Sequence, residues 1–315
     1  MKVFVAGATG ALGSKLVPRL VANGHEVVGT TRSQAKTGVI EQMGATPVVA
    51  DGLDADAVGR AVGEAEPEVI VHELTALSDS LDLRHFERSF ALTNRLRTEG
   101  TDHLLAAARA AGVRRFVAQS YTGWTDRWLG GPAKTEDEPL DQDPVSAMRT
   151  TLDAIRYLEA AVTGADWIEG LVLRYGGFYG PATSISLDPV GEHVEMIRKR
   201  KFPLVGKGSG IWPLIQIDDA AAATAAAVER GAPGIYNVVD DDPAQAADWL
   251  PGLATAVGAK PPMRVPRWLA RIMAGEMAVV MMTEMRGASN GKAKRELDWA
   301  PRYPTWREGF ANGLA

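Results

Sequence analysis

The chain has 315 residues, and its 34 Lys and Arg against 39 Asp and Glu give a formal net charge of −5. At about 150 residues per domain this length predicts one large domain or two intimate ones, and the mild acidity argues against a general nucleic-acid binder. The absence of cysteine excludes disulfides, thiolate metal sites and a cysteine nucleophile. No apolar run approaches the roughly 18 residues of a membrane span, so we expect a cytoplasmic enzyme without membrane partners.

Short apolar runs alternate with helical periodicity in the first half of the chain. The runs predict strands at residues 3–6, 25–30, 47–50, 69–72, 115–119 and 168–173. Helices are expected between them, after the glycine-rich start and near 54–65, 84–111 and 145–163. This alternation predicts an α/β fold, a doubly wound parallel sheet of the Rossmann type, with ligands at the carboxyl ends of its strands.

The alternation of predicted strands and helices stops after about residue 175, where glycine and proline become frequent. A strand at 214–217 and an alanine-rich helix at 220–228 predict one more return to the sheet. We therefore expect a dinucleotide-binding domain over 1–182 plus 212–239 and a smaller, partly helical substrate-binding cap over 183–211 plus 240–315. Residues 268–285 carry five of the ten methionines and are either a core helix or an apolar lid over the substrate.

A glycine motif, Gly7-Ala-Thr-Gly10-Ala-Leu-Gly13, follows the first predicted strand and opens the first helix. The first glycine allows a tight turn, the second lets backbone approach a pyrophosphate, and the third lets the helix pack close to the sheet. The free N–H groups and the positive dipole end of the helix then face the phosphates. In this context the motif predicts a dinucleotide-binding loop.

The residues after the second strand indicate which dinucleotide is bound. An acid there would hold the ribose 2′-hydroxyl of NAD, but the position is occupied by Thr30, Thr31 and Arg32. Arg32 either pairs with the 2′-phosphate of NADP, stacks on the adenine or is solvated. We therefore favour NADP, with NAD as the second choice. Asp51, at the next strand end, either accepts from the adenine amine or caps the helix that begins near Asp54.

Several segments together resemble one known family. They are VFVAGATGALG at the start, ADGLD at 50–54, GTDHLLAAARAAGVRRFV at 100–117, LVLRYGGFYGP at 171–181, IQIDDAAAAT at 215–224, KAKRELDWAP at 292–301 and WREGF at 306–310. The chain resembles the extended or atypical short-chain dehydrogenases/reductases, the NAD-dependent epimerase/dehydratase-like group. The resemblance implies a Rossmann fold, a nicotinamide cofactor and a small-molecule substrate. It also implies a homodimer formed by the helices near 84–111 and 145–163, with these apolar faces: Leu104, Leu105 and Ala108 on the first, and Leu152, Ile155 and Leu158 on the second.

The chain departs from the family at the expected proton relay. The family uses Tyr-x-x-x-Lys on a helix after the fifth strand, where the tyrosine is the acid/base and the lysine lowers its pKa and holds the nicotinamide ribose. The matching helix, PVSAMRTTLDAIRYLEAAV at 144–162, has no lysine. Neither pair at the counted positions can transfer a proton: Thr151 with Ile155, or Met148 with Leu152. Arg149 is the only ionisable group expected near them, and it either binds an acidic substrate or lies at the surface.

Hydroxyl groups from other elements are candidates for the missing relay. Ser120, at the end of the fifth strand, is expected to polarise the substrate oxygen, and Tyr121 to donate the proton. Tyr175 and Tyr179 follow the next strand and could also reach the nicotinamide. The family's asparagine, three residues before the glycine at 100, is replaced by Arg97, and Asn94 lies one turn earlier.

The sequence therefore predicts an NAD(P)-dependent oxidoreductase that acts on a carbonyl or alcohol of a small, apolar metabolite. Two alternatives stay open: a non-catalytic dinucleotide sensor, and a nucleotide-sugar epimerase or dehydratase. The five histidines make no metal-ligand pair, so no metal is expected. The predicted cofactor-binding residues are Gly7, Thr9, Gly10, Ala11, Leu12, Gly13, Arg32, Asp51, Gly52, Leu74, Thr75 and Tyr175.

Overall fold

The computed structural model describes residues 1–77 and 82–315. In these ranges the strands are β1 (Lys2–Ala6), β2 (Glu26–Thr31), β3 (Thr46–Val49), β4 (Val69–His72), β5 (Arg115–Tyr121), β6 (Ala133–Lys134), β7 (Glu169–Tyr175), β8 (Gly177–Tyr179), β9 (Leu204–Val205), β10 (Ile211–Trp212), β11 (Leu214–Gln216), β12 (Gly234–Val238), β13 (Ala244–Gln245), β14 (Arg264–Val265) and β15 (Gly287–Ala288).

The α-helices of the same ranges follow the strands in alternation through the first half. They are α1 (Gly13–Ala22), α2 (Thr37–Gln42), α3 (Ala55–Ala65), α4 (Phe86–Arg95), α5 (Thr101–Ala111), α6 (Arg149–Thr163), α7 (Glu192–Arg198), α8 (Ile217–Glu229), α9 (Ala246–Ala256), α10 (Arg267–Thr283), α11 (Gly291–Glu296) and α12 (Trp306–Asn312). Among the described residues, no helix is long and apolar enough to cross a bilayer.

Seven strands form one parallel sheet in the order β12-β7-β5-β4-β1-β2-β3. Its strands are apolar on both faces because helices cover both sides. In β1, Val3 and Val5 pack with α1 and α8, whereas Phe4 and Ala6 pack with α3 and α5. The strand order changes direction between β1 and β4, and this switch point is where such sheets bind ligands. The predicted doubly wound fold is confirmed.

Two predicted elements differ from the structure. The strand at 214–217 does not return to the main sheet, because β11 pairs with β8 in a separate two-stranded sheet. The seventh strand is β12, which the sequence analysis missed, and it pairs with β7. The helix predicted at 84–111 is also not continuous: a π-helical turn at Leu96–Gly100 separates α4 from α5.

A second apolar core lies outside the sheet and is built from the second half of the chain. It joins α7, α9, the second half of α10 and α12 around Trp249, which is 1% exposed. Helix α10 is broken at Gly275, whose φ of 87° and ψ of 173° are not helical. Before the break Trp268, Ile272 and Met273 are exposed, and after it the helix is mostly buried, with Met277 fully so.

The apolar faces predicted for dimerisation are wrong, because these side chains belong to the protomer's own core. Leu104 and Ala108 pack under the sheet, together with Leu158. Leu152 and Ile155 pack between α4 and α10. Leu105 is partly buried against the same core. Five of the six are buried and Leu105 is partly buried, so they do not form the exposed apolar faces that the prediction requires, and the dimer itself stays a prediction.

A buried ion pair ties α6 to the sheet. The Arg174 guanidinium of β7 donates from Nε and Nη2 to the two carboxylate oxygens of Glu159 at 2.8 and 2.6 Å. The Ser120 hydroxyl of β5 donates to Glu159 Oε1 at 2.7 Å. All three side chains are at most 5% exposed. This network fixes the rotation of α6 and so decides which of its residues face the carboxyl ends of β4 and β5.

Removing one partner of this pair should destabilise the fold more than removing both. Arg174→Met leaves the Glu159 carboxylate buried without a counter-charge, which costs about 3–5 kcal/mol. The double variant Glu159→Leu/Arg174→Met removes both charges and should recover most of that loss. Urea unfolding of the two variants checks the prediction, and equal losses of unfolding free energy in both variants would contradict it.

Candidate active site

The glycine loop packs against the backbone that follows β4. Gly7 has φ of +97°, and a β-carbon there would lie 2.7 Å from the carbonyl oxygen of Glu73. A β-carbon on Gly13 would overlap the carbonyl of Gly7. Thr30 of β2 holds the turn by accepting from the Gly7 amide at 3.1 Å. The first and third glycines are therefore required by the fold itself.

Gly10 differs because it is exposed, and a β-carbon there would meet only the Gly7 carbonyl oxygen, at 3.3 Å. Around it the amides of Ala11, Leu12 and Gly13 have no acceptor among the described residues. They lie at the N-terminus of the ten-residue helix α1. Open backbone with free amides at a helix start fits a pyrophosphate, and a side chain at Gly10 would occupy that space.

The adenine end of the predicted site lies at the ends of β2, β3 and β4. Gly52 and Leu74 line a small apolar cavity with Thr30, and a β-carbon on Gly52 would overlap the Leu74 side chain. Asp51 is exposed and accepts from the Leu53 amide at 3.0 Å. The cap of α3 is Asp54, so Asp51 does not fill that role.

Arg32 and Thr75 are exposed at the same edge, and neither side chain has a hydrogen bond or ion pair within the described ranges. A guanidinium with no protein carboxylate is available to a phosphate. Thr9, in the glycine loop, is half-buried and likewise has no side-chain partner there.

Tyr175 lies deeper than predicted. Its hydroxyl is buried, 2.7 Å from the Thr224 hydroxyl, and donates to Glu73 Oε1 at 3.2 Å. Burial raises the pKa of Glu73 to about 8, so this carboxyl is mostly protonated at neutral pH. Burial also raises the pKa of Tyr175. Its hydroxyl is engaged in the core, and Glu73 could not be predicted because no motif contains it.

The positions counted for the family's tyrosine and lysine carry no acid or base in either pair, Thr151 with Ile155 or Met148 with Leu152. Thr151 is fully buried, and its hydroxyl accepts from the Asn94 amide at 3.0 Å. Ile155 packs in the apolar cluster with Phe86. Arg149 is exposed, which fits the alternative that it lies at the surface, and it is not the only ionisable group near these positions. The cation beside these positions is Arg97, whose Nη1 donates to Asn94 Oδ1 at 3.3 Å.

Ser120 and Tyr121 lie at the end of β5 but differ in their surroundings. The Ser120 hydroxyl is 3% exposed and already donates to Glu159. The Tyr121 hydroxyl has no hydrogen-bond partner among the residues described, and burial raises its pKa. Its ring lies 5.3 Å from Trp124, in an apolar cluster that Met277 of α10 closes. Of the two, only Tyr121 has a hydroxyl free to meet a ligand.

The buried Tyr179 hydroxyl has no hydrogen-bond partner among the described residues, but it belongs to the second core, where its ring contacts Phe310. In the parts of the chain that the structure describes, no group of three metal-ligating side chains comes together.

Comparison with known proteins places the chain in a family. The model of the NAD dependent epimerase/dehydratase family matches residues 3–238. A relative from Streptomyces sp, named 3-diazoavenalumate denitrifying reductase, is 44% identical over 311 residues, which are 98% of this chain and 99% of the relative. The 2-alkyl-3-oxoalkanoate reductase of Stenotrophomonas maltophilia is 28% identical over 82% of this chain and 76% of its own length.

Solved structures share the fold at low sequence identity. A UDP-glucose 4-epimerase of Thermus thermophilus in complex with NAD has a TM-score of 0.76 at 24% identity, with 100% of this chain and 98% of that one covered. A human epimerase family protein with NADPH has a TM-score of 0.77 at 20% identity, covering 100% and 99%. The chain belongs to the NAD-dependent epimerase/dehydratase family. With reductase-named relatives over most of its length, it is an oxidoreductase.

The glycine loop gives a matched pair of variants. Gly10→Val should leave the chain folded and abolish dinucleotide binding, because its side chain fills the pyrophosphate space. Gly13→Ala should instead destabilise the fold by about 1–3 kcal/mol, because its methyl group overlaps backbone. Circular dichroism melting and cofactor titration by tryptophan fluorescence check both; unchanged affinity in folded Gly10→Val would refute the assigned loop.

Proposed function

We propose that the chain is an NAD(P)H-dependent reductase that prefers NADP. The glycine loop and the start of α1 would hold the pyrophosphate, and the edge around Gly52 and Leu74 the adenine. The exposed, unpaired Arg32 supports the preference, since its planar fork suits a 2′-phosphate. We also propose residues 183–211 and 240–315 as the cap over the substrate.

Arg32→Ala should weaken NADP binding by about tenfold to a hundredfold, the size of a charge-assisted contact, and leave NAD binding nearly unchanged. Fluorescence titration with both cofactors measures this. Equal losses of affinity for NADP and NAD would mean that Arg32 stacks on the adenine. No loss of affinity for either cofactor would mean that Arg32 is solvated.

We propose further that the group reduced is a diazo group on an aromatic acid. This proposal is based on helix α6, which has Thr151 and Ile155 at the positions where the family's proton relay is expected. A carbonyl requires a proton as well as a hydride, so losing the relay should be costly for a carbonyl reductase. The relative at 44% identity is named for the denitrification of a diazo compound.

Diazo reduction removes the need for a protein acid. When bound, the reduced nicotinamide supplies a hydride, and an aryl diazonium plus that hydride balances as arene plus dinitrogen. The acceptor is already cationic, so the oxyanion that Tyr-x-x-x-Lys would protonate never forms. The protein's task is to orient the substrate and exclude water. The aromatic cluster of Phe86, Phe90, Tyr121 and Trp124, closed by Met277, suits an aromatic ring.

Carbonyl reduction is the second candidate, and the free hydroxyl of Tyr121 favours it. In that reaction Tyr121 would donate the proton, while Ser120, bound to Glu159, would hold the strand end in place. A relative of 28% identity is named as a reductase of 2-alkyl-3-oxoalkanoates.

Substrate panels with the wild type and Tyr121→Phe distinguish the two candidates. The probes are benzenediazonium with a para carboxylate, followed by cofactor absorbance and dinitrogen release, and a panel of ketones and aldehydes. We expect turnover of the diazonium, with Tyr121→Phe altering it by less than about threefold, well below a general-acid effect. Ketone turnover that falls roughly 10²–10⁴-fold in Tyr121→Phe would support carbonyl reduction instead. Cofactor binding without turnover of either panel would favour the alternative of a non-catalytic dinucleotide sensor.

A further inference from the structure

Arg97 is a buried cation without a carboxylate partner in the described part of the chain. It is 8% exposed, and its one side-chain hydrogen bond there goes to Asn94 Oδ1 at 3.3 Å. The other deeply placed arginines all have carboxylates within 4 Å: Arg115 with Glu169, Arg127 with Asp141 and Glu284, and Arg174 with Glu159.

The groups around Arg97 do not offset its charge. Its guanidinium lies 5.9 Å from the centroid of the Phe90 ring, and its neighbour Asn94 is neutral. His72, at the end of β4, has its pKa lowered to about 4 mainly by burial and in part by Arg97, so it is uncharged. Glu159 attracts Arg97 only at a distance, because its oxygens are taken by Arg174 and Ser120. Burial lowers the pKa of Arg97 to about 10, so it stays protonated at neutral pH.

Arg97 lies beside the positions where the resemblance implies the family's proton relay. The same Asn94 side chain that accepts from Arg97 donates to Thr151, at the counted relay position. Phe90 stacks on Phe86, which is part of the aromatic cluster around Tyr121. A buried, uncompensated guanidinium is costly to a fold, and such a charge is usually retained where a ligand supplies the counter-charge.

We propose that Arg97 binds an anionic oxygen of the substrate, so that the enzyme's substrates are aromatic acids or phenolates rather than neutral compounds. This inference rests on the proposed reductase function and names the substrate class of that site. A planar guanidinium can bind an oxyanion with two parallel hydrogen bonds, while Phe90 and Asn94 hold it from the protein side. The charged end of the substrate would thereby be fixed, and its aromatic ring would enter the aromatic cluster.

Binding of unreactive probes tests the proposal without turnover. The probes are para-coumarate, its methyl ester, which lacks the carboxylate, and para-methoxycinnamate, which lacks the phenol. Thermal unfolding of the NADP-loaded wild type should shift upward with para-coumarate. The shift should vanish with the ester if the carboxylate is bound, or with the ether if the phenolate is bound. Equal shifts with all three probes would overturn the proposal.

Variants show whether Arg97 causes the preference. Arg97→Gln should weaken para-coumarate binding by about tenfold to a hundredfold, with ester and NADP binding unchanged, and Arg97→Lys should recover part of the loss. Arg95→Gln is the matched control, because Arg95 is exposed and, among the described residues, forms its ion pair with Glu99 on the surface. Parallel loss of acid and ester binding, or loss of NADP binding, would contradict a substrate role for Arg97.

Turnover separates failure of this inference from failure of the proposed function. Diazonium reduction that is indifferent to the carboxylate and to Arg97 would support the reductase and refute the anion site. Arg97-dependent binding of acids without diazonium turnover would keep the anion site and refute the proposed reaction. If Arg97→Gln does not fold, the ester and ether comparison on the wild type still decides.

Discussion

The buried ion pair between Glu159 and Arg174 fixes the geometry on which the active site depends. It joins α6 to β7 and takes up the Ser120 hydroxyl of β5, so helix and strand ends cannot rotate independently. With Glu159 turned to the sheet, Thr151 two turns earlier faces Asn94, and Ile155 faces the apolar cluster. The pair therefore sets the orientation of a helix whose counted relay positions, by sequence, carry no proton-transfer group.

In the part of the chain that the structure describes, the buried cation near the counted relay positions lies on a different element from the lysine that the resemblance implies. The cation is on the π-helical turn between α4 and α5, at Arg97, rather than on α6. A guanidinium does not release its proton at neutral pH, so it can bind an anion but cannot serve as an acid. Tyr121 adds a hydroxyl of raised pKa that has no hydrogen-bond partner among the described residues, so the two side chains together offer an anion-binding cation and a weakly acidic hydroxyl.

The sequence predicted the sheet and the glycine loop well because both depend on local patterns. Buried parallel strands read as apolar runs, and Gly7, Gly10 and Gly13 occur at a fixed spacing next to a strand. The sequence missed β12, whose run at 234–238 is short and contains glycine and asparagine, and it misplaced β11, whose partner is set by long-range packing. The sequence marked Arg97 only as the replacement for the family's asparagine, because its burial arises from packing in the fold. It did not mark Glu73, whose partner Tyr175 lies 102 residues away in the chain.

The central claim is that hydride transfer proceeds here without a proton from the protein, and kinetic isotope effects test it most directly. Steady-state turnover of the para-carboxylate diazonium would be measured with reduced cofactor deuterated at the transferred position, and separately in heavy water. We expect a primary isotope effect from the labelled cofactor and none from heavy water. A large effect from heavy water would show that a proton moves in the same step, and would contradict hydride transfer without a proton from the protein.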